Sequence, residues 1–170
     1  MGSPLGLVYK LMEIIPIHST KATNVKNWRE IRKEAEELRK FTNEGPFTGS
    51  NYNSCYALHH AQVSENPYNF FTINETLLEG GILKVFGSWC IMNAKIVEWA
   101  GPVSWLEACM SFPHRKPKRT NRMNRVKVVY YIPFLWTWRK KTAKLEGVMA
   151  FLAQHEIEHG AGINIYDKKD

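Results

Sequence analysis

The chain has 170 residues, 44% of them hydrophobic and 23% charged, and carries a formal net charge of +7. This composition is that of an ordinary globular domain and excludes a wholly disordered chain, while the apolar runs are too short to span a membrane. Three cysteines without a secretory leader exclude a disulfide framework, so we expect residues 1–170 to form one cytoplasmic domain with reduced thiols.

The first predicted element is a charged, amphipathic helix at Lys26–Phe41. Apolar residues recur along it at the spacing of one helical face, and Asn24 is placed as its N-cap. The residues predicted to face the core are Trp28, Ile31, Ala35 and Leu38. The segment Thr42–Ser54 follows; it is rich in Gly, Asn, Ser and Thr and is predicted to be a long loop.

The middle of the chain is predicted to form strands. From Pro67 onward it is rich in aromatic and β-branched residues, which favour extended structure, and glycines interrupt it. A partly alternating segment and its hairpin partner lie on either side of a turn at Pro133. The predicted strands are Phe70–Asn74, Ile82–Phe86, Ser88–Trp99, Arg125–Ile132 and Leu135–Lys141.

The last predicted element is a second helix at Lys144–Gly160, which is largely apolar and has Gly160 as its C-cap. Helices and strands thus occur in separate blocks rather than in strict alternation. This order predicts an α+β fold in which mainly antiparallel β-sheets pack around a central helix, with a further helix on the N-terminal side.

The second predicted helix ends in the pentad HEIEH, from His155 to His159. Residues four apart lie on one helical face, so both imidazoles can ligate one cation while Glu156 reaches a water beside it. A catalytic site of this kind uses three protein ligands. No glutamate follows His159, and Ile165 stands where the extended pattern HExxHxxGxxH has its third histidine, so we expect the third ligand upstream. The plainer interpretation is a polar turn on a helix surface.

Three segments of the chain resemble, in order, the sequence motifs of the peptide deformylases. EACMS (Glu107 to Ser111) is similar to the family motif EGCLS, and HEIEH is similar to HExDH. YALHHAQ (Tyr56 to Gln62) is a weaker match to GΦGLAAxQ, where Φ is apolar, and CIMNAKIVEW is similar to the strand between these motifs. The resemblance runs from Trp28 to Asp167. The divergent first motif and the short tail resemble phage-encoded or organellar members.

The resemblance implies a metal-dependent hydrolase that removes the formyl group from the N-terminal formyl-methionine of nascent peptides and releases formate. The ligands that it implies for one divalent ion are Cys109, His155 and His159. One thiolate and two imidazoles suit Zn²⁺ or Fe²⁺. The resemblance implies Fe²⁺ as the working ion, with Zn²⁺ or Ni²⁺ as substitutes.

The resemblance also implies roles for residues around that ion. Glu156 is expected to act as general base and then to pass its proton to the leaving amine, and Glu107 to orient the strand of Cys109. The Gln62 side chain and the backbone N–H of Met110 are expected to stabilise the oxyanion. The residues predicted to line the methionine pocket are Tyr56, Trp105, Val148, Phe151 and Leu152.

His59 and His60 depart from the family motif, which has small residues at both positions. Two imidazoles can alter the pocket or bind a second cation; the plainer interpretation is that they point to solvent or contact neighbouring residues. The arginine with which family members hold the peptide backbone has three competing counterparts. They are Arg115, Lys116 and Arg119.

Two other functions remain as alternatives. An HExxH metallopeptidase would use a third ligand other than Cys109. An RNA- or ribosome-binding relative would use the stretch His114–Lys127, which holds seven Lys or Arg and no acidic residue. The plainer interpretation of that stretch is a solvated loop that leads into a strand.

Overall fold

The computed structural model describes residues 21–44, 55–75 and 85–168, which have the predicted α+β fold. In chain order the elements are α1 (Trp28–Glu44), β1 (Ala57–His59), a 3₁₀ turn (His60–Gln62), β2 (Phe70–Ile73), β3 (Cys90–Glu107), β4 (Lys118–Phe134), β5 (Thr137–Glu146) and α2 (Val148–Gly160). The strands of the described residues form one antiparallel sheet in the order β1-β2-β3-β4-β5. No helix in these ranges is long and apolar enough to cross a membrane.

Helix α1 buries the apolar face that the sequence predicts, and all four of its predicted core residues are buried. Asn27 rather than Asn24 caps it, because the Asn27 Oδ1 accepts a hydrogen bond from the backbone N–H of Arg29 at 2.8 Å. The helix continues to Glu44, so the first residues of the predicted loop are helical. The rest of that loop, residues 45–54, lies outside the described ranges.

The two strands at the start of the sheet are short. Strand β2 confirms one predicted strand, and β1 is an additional one that pairs with it, from Ala57 opposite Ile73 to His59 opposite Phe71. Only three residues of β1 are extended before the chain turns, which is too few for an alternating pattern to show. The first motif of the sequence therefore lies on a strand followed by a tight turn.

The strand predicted at Ile82–Phe86 is wrong at its C-terminal end. Val85 and Phe86 are helical, and the first three residues of that segment lie outside the described ranges. The buried ring of Phe86 makes edge-to-face contacts with Phe71 and Tyr130. One large aromatic anchor therefore holds this end of the segment in the core, where the sequence predicts strand pairing.

Strands β3 and β4 form a long hairpin, and each exceeds its predicted length. Strand β3 begins at Cys90 and continues past Gly101 and Pro102 to Glu107, whereas the predicted strand ends at Trp99. Strand β2 pairs only with the first residues of β3. Pro102 lies beyond that pairing, so its missing N–H interrupts no hydrogen bonds between β2 and β3. Strand β4 begins at Lys118, which places most of the predicted basic loop inside a strand.

Strand β5 is the predicted hairpin partner of β4, and it includes Lys144–Glu146, which the sequence assigns to the helix. Helix α2 therefore begins at Val148, after Gly147, whose φ of +60° favours glycine. The C-cap of the helix is Ala161, and Gly160 is the last helical residue instead of the predicted cap. The prediction extends the helix too far back because Leu145 is buried and apolar like the helix that follows.

Two apolar clusters lie on opposite faces of the sheet. Alternate strand residues point to opposite faces: Phe71 and Ile91 belong to the cluster that includes α2, whereas Phe70 belongs to the cluster that includes α1. Helix α2 contacts β4, β5, β1 and the 3₁₀ turn, which confirms the predicted central position of the HExxH helix. The ends of β1 and β3 and one side of α2 thus meet, and the candidate site lies there.

Candidate metal centre

Helix α2 carries two histidines that face one buried site. His155 and His159 are one turn apart and both buried, and their ring centroids lie 4.4 Å apart at an interplanar angle of 80°. The small residues Ala150 and Ala153 are fully buried on the same helix and let its backbone approach the sheet closely. The helical spacing therefore puts both imidazoles where the sequence predicts them, one above the other.

Cys109 is the third member of this cluster, and it follows the end of β3. Its Sγ lies 3.3 Å from the Nε2 of His159. One ligand atom from each of Cys109, His155 and His159 lies within 4.8 Å of the others, and all three residues are buried. The fold thus brings together the three residues that the resemblance implies as ligands.

Hydrogen bonds decide which nitrogen of each histidine is available. The Nδ1 of His155 lies 3.0 Å from Glu107 Oε2, and the Nδ1 of His159 lies 3.2 Å from the carbonyl oxygen of Ile163. Both partners are acceptors, so each Nδ1 carries a proton and donates it. In the neutral state each ring keeps a lone pair on Nε2, as metal-binding histidines with such partners do.

Glu107 links His155 to the buried guanidinium group of Arg122. Its carboxylate also accepts a hydrogen bond from Arg122 at 2.7 Å, and Arg122 pairs with Glu158 at 2.7 Å on its other side. Burial alone would raise the pKa of Glu107, but the hydrogen bond from His155 and the charge of Arg122 outweigh burial and lower that pKa to about 2. Glu107 therefore contacts His155 as well as β4, and its expected role in orienting the strand of Cys109 stays a prediction.

Arg122 is the main residue around the site that the sequence analysis misses. It lies in the basic stretch that the sequence assigns to a solvated loop or to RNA, yet its side chain is 1% exposed. The missed signal is strand alternation, because Arg122 has the same parity as the buried residues Val126 and Val128 on β4. A basic run can thus contain one inward-facing cation when the run is a strand.

Glu156 follows the first candidate ligand and is itself buried. Within the described ranges its Oε2 has no hydrogen-bond partner. Burial is the largest influence on this carboxyl group; although the charge of His155 acts in the opposite direction, the pKa is raised to about 7. A carboxyl group with a free oxygen and a pKa near neutrality can take up a proton and give it back.

The donor set fits a divalent transition-metal ion. Two imidazole nitrogens and one sulfur in a buried cluster are the ligands that zinc and iron sites use. The unpartnered oxygen of Glu156 lies in the residue next to the first ligand and can accept a hydrogen bond from a water at such an ion. The cluster therefore has both the ligands and the neighbouring acceptor that a hydrolytic metal site requires.

A cavity of about 290 Å³ opens beside the cluster. Its wall includes His155 and Glu156, together with Gln62 and Met110. All five residues predicted for the methionine pocket also line it, namely Tyr56, Trp105, Val148, Phe151 and Leu152. The lining residues that the sequence analysis does not name include Cys55, Leu106 and Ala108.

Gln62 is held at the cavity wall by both ends of its amide. Its Oε1 accepts a hydrogen bond from the backbone N–H of His59 at 2.9 Å, and its Nε2 donates to Ser111 Oγ at 3.2 Å. Because Oε1 faces a donor, the amide has one orientation, and its NH₂ group faces the segment that contains Cys109.

His59 and His60 are both buried and contact neighbouring residues, so they do not point to solvent. The Nδ1 of His59 accepts from the backbone N–H of Ala61, and the Nδ1 of His60 accepts from that of Tyr68, each at 3.0 Å. His60 also stacks on Phe70, with ring centroids 4.8 Å apart. Among the described residues, the Cys-His-His cluster is the one group with metal-ligand geometry, and neither of these histidines belongs to it.

The three basic candidates for holding the peptide backbone are absent from the cavity wall, as far as the described chain shows. The guanidinium of Arg115 lies over the rings of Phe112 and Tyr166, at 5.1 and 4.8 Å from their centroids. Lys116 and Arg119 are exposed. None of these contacts distinguishes one of the three as a substrate-binding residue.

Comparison with known proteins identifies the family and the fold. The family model for polypeptide deformylase matches residues 16–170. The peptide deformylase from Thermotoga maritima has the same fold, with 22% identity and a TM-score of 0.70 over 94% of this chain and 98% of that one. For the enzyme from Ehrlichia chaffeensis in complex with actinonin, the identity is 23% and the TM-score 0.73 over 94% of this chain and 89% of that one.

A phage protein is similar to the same degree. The PDF from a Vibrio parahaemolyticus bacteriophage, also in complex with actinonin, is 23% identical, with a TM-score of 0.69 over 91% of this chain and 100% of that one. No curated protein matches the sequence significantly. Identities this low show the fold, whereas the family match covers nearly the whole sequence. The chain therefore belongs to the polypeptide deformylase family, whose members are metal-dependent hydrolases that remove N-formyl groups from nascent peptides.

Proposed function

We propose that this chain removes the formyl group from the N-terminal formyl-methionine of nascent peptides. The observation that supports this most directly is the buried cluster of Cys109, His155 and His159, with the free carboxylate oxygen of Glu156, beside one cavity. We propose Fe²⁺ as the ion, with Zn²⁺ or Ni²⁺ as substitutes. The proposed location is a cytoplasm in which formylated chains are made. This includes the cytoplasm of a phage-infected host, and an organelle that makes such chains is the alternative.

In this proposal, Glu156 moves the proton. A divalent ion on the three ligands supplies Lewis-acid chemistry, which polarises a carbonyl and lowers the pKa of a water molecule. Glu156 accepts a proton from the attacking water at Oε2, for which no group among the described residues competes. It then delivers that proton to the amine nitrogen as the C–N bond breaks and formate leaves.

Two donors stabilise the negative charge that develops on the formyl oxygen. One is the Nε2 group of Gln62, whose amide orientation the contact with His59 fixes. The other is the backbone N–H of Met110, which follows Cys109 at the cavity wall. Fixed donors of this kind contribute roughly 3–4 kcal/mol each to transition-state stabilisation, because they need no reorganisation during the reaction.

The methionine side chain is proposed to occupy the apolar part of the cavity. The rings of Trp105 and Phe151 are in contact there, with centroids 4.7 Å apart. Val148 and Leu152 add aliphatic surface from the same side of helix α2. A thioether gains from contacts with aromatic edges, so this wall suits methionine.

An RNA or ribosome contact through the stretch His114–Lys127 is the weaker proposal. Arg122 is buried between two carboxylates, and Arg115 lies over aromatic rings. Lys127 pairs with Glu98 at 2.5 Å. These contacts leave only part of the positive charge of the stretch available to a polyanion.

The proposed function is tested with protein purified under anaerobic conditions and loaded with Fe²⁺. The wild type should release formate from formyl-Met-Ala-Ser, and Glu156→Ala should abolish release while retaining the metal. Glu65→Ala, at an exposed acid away from the cavity, is the control and should behave like the wild type. Metal-loaded wild type that releases no formate contradicts the proposal. A Cys109→Ser variant that binds metal normally and cleaves internal peptide bonds would favour a metallopeptidase instead.

A further inference from the structure

His59 stands between the Gln62 turn and the end of helix α2. It is fully buried at the last position of β1. The Nδ1 of its ring accepts the backbone N–H of Ala61 at 3.0 Å, and its Nε2 lies 3.4 Å from Asn69 Oδ1. Because Nδ1 is an acceptor, the neutral ring carries its proton on Nε2 and donates it to Asn69. Both polar atoms of the ring are therefore used in holding structure.

On one side, His59 caps the 3₁₀ turn that carries Gln62. The ring accepts an N–H of the turn, while the His59 backbone N–H binds the side-chain oxygen of Gln62, so the two residues form a reciprocal capping box. The turn and the Gln62 amide are thus fixed from the same residue. Substitution of the side chain removes the first contact and leaves the second, because the second is made by backbone.

On the other side, the ring of His59 lies directly against the backbone of Gly160. A Cβ at position 160 would lie 2.9 Å from His59 Nε2 and 2.8 Å from Asn69 Oδ1, closer than such contacts allow. Gly160 is not the C-cap of α2, and its φ is not positive, so close approach is what requires a glycine here. Gly160 directly follows the ligand residue His159, so the ring touches the helix at the edge of the metal centre.

We propose that His59 is a positioning residue that sets the place of the Gln62 amide relative to the His159 end of α2. This inference rests on the proposed function, in which Gln62 stabilises the oxyanion. The ring fills the gap between the turn and the helix. A smaller side chain would lose the hydrogen bond from Ala61 and the contact with Gly160, and only the backbone bond to Gln62 would remain. The residue that departs most from the family motif thus takes part in the geometry of the site.

A double-mutant cycle between His59 and Gln62 tests the proposal. His59→Ala should lower kcat about 10-fold, with KM changed less than about 2-fold and metal content unchanged, because a displaced donor weakens only the transition state. In a Gln62→Ala background the same substitution should cost little more, since its effect passes through Gln62. His60→Phe is the control, because His60 is equally buried but contacts Tyr68 and Phe70 rather than Gln62.

Two further variants separate positioning from general stability. His59→Asn offers an oxygen that can cap the turn and should recover part of the lost kcat; it also carries the test if His59→Ala does not fold. Gly160→Ala should destabilise the protein less in the His59→Ala background than in the wild type, because His59→Ala removes the clashing ring and leaves only Asn69 Oδ1 close to the new Cβ. Amide hydrogen exchange of Ala61 should speed up in His59→Ala and remain slow in His59→Asn.

Equal losses of kcat in the Gln62 and Gln62→Ala backgrounds, or unchanged exchange at Ala61, would overturn the positioning role. Failure of the wild type to release formate would instead overturn the proposed function. In that case the Ala61 exchange rates and the stability of the Gly160→Ala and His59→Ala double variant still decide whether His59 holds the turn against the helix.

Discussion

The chain buries two pairs of histidines close to one another and uses their rings in opposite ways. In His155 and His159 the Nδ1 atoms face oxygen acceptors, so they donate and leave Nε2 lone pairs for a metal. In His59 and His60 the Nδ1 atoms accept backbone N–H groups, so the proton lies on Nε2. The hydrogen-bond partner of the ring, rather than burial, thus distinguishes a candidate ligand from a structural histidine.

The electrostatic surroundings of His155 differ from those of His59 and His60. His155 lies in a chain of charged groups that continues through Glu107 and Arg122. Burial lowers the pKa of His59 to about 3 and that of His60 to about 4, so both are neutral at physiological pH. His159 shares part of the second environment, because burial also holds its pKa well below the usual value and its Nδ1 faces the neutral carbonyl oxygen of Ile163.

The largest expected difference between the pairs is in metal binding. His159→Ala should lower metal affinity by more than about 100-fold, because even the loss of a partner outside the ligand sphere costs roughly 10–100-fold. His60→Phe should still bind one metal per chain. Metal content after dialysis, and the rise in thermal unfolding temperature on adding Zn²⁺, measure this. Equal metal loss in both variants would contradict the division between the pairs.

The charged surroundings of the candidate ligands should be costly to disrupt. Arg122→Met should destabilise the metal-free protein by about 3–5 kcal/mol, because it leaves the buried carboxylate of Glu107 without its cation. Arg125→Met removes an exposed arginine from the same strand and should change stability by less than about 0.5 kcal/mol. Urea unfolding measures both. A small effect of Arg122→Met would show that the ion pairs of Arg122 with Glu107 and Glu158 do not stabilise the site.

Burial of the non-ligand histidines should make stability depend on pH, and His60 is the clearest case. The folded pKa of His60, about 4, lies below its ordinary value of 6.5, so the unfolded chain binds the proton first as pH falls. The contribution of neutral His60 is therefore present above about pH 6.5 and is lost as pH falls to about 4, which amounts to about 3 kcal/mol. As pH falls between these values, the free energy of unfolding of the wild type should decrease by that amount relative to that of His60→Phe. A constant difference would mean that His60 titrates normally.

The smallest of these effects concerns the orientation of one ligand. Glu107→Gln keeps the size of the side chain but removes the charge that accepts from His155 Nδ1. Metal affinity should fall about 10–100-fold, and activity at saturating metal should fall less. Competition with a colorimetric chelator measures the affinity. An unchanged affinity would mean that the His155 ring is held by packing alone.

Much of the fold is predictable where a pattern is long. Helix α1 shows its core face over four turns, and the HExxH helix places two ligands by spacing alone. The short strand β1 and the boundary at Gly147 are not predictable, because three extended residues have no period and an apolar strand end resembles the start of an apolar helix. The inward-facing Arg122 is difficult to predict for a related reason. Its charge suggests an exposed position, whereas its place in the alternation of β4 indicates a buried one.

By itself, the sequence determined the chemical types and their order: the HEIEH helix, the cysteine segment before it and a glutamine in a divergent first motif. Those depend on local spacing and residue identity, which a chain carries without folding. Only the tertiary structure decided which atom faces His155 Nδ1 and how closely the His59 ring approaches helix α2, because these neighbours come from other elements: Glu107 at the end of β3 for His155, and Gly160 against His59. Contacts between residues this far apart along the chain depend on how the elements pack, and no local pattern encodes them.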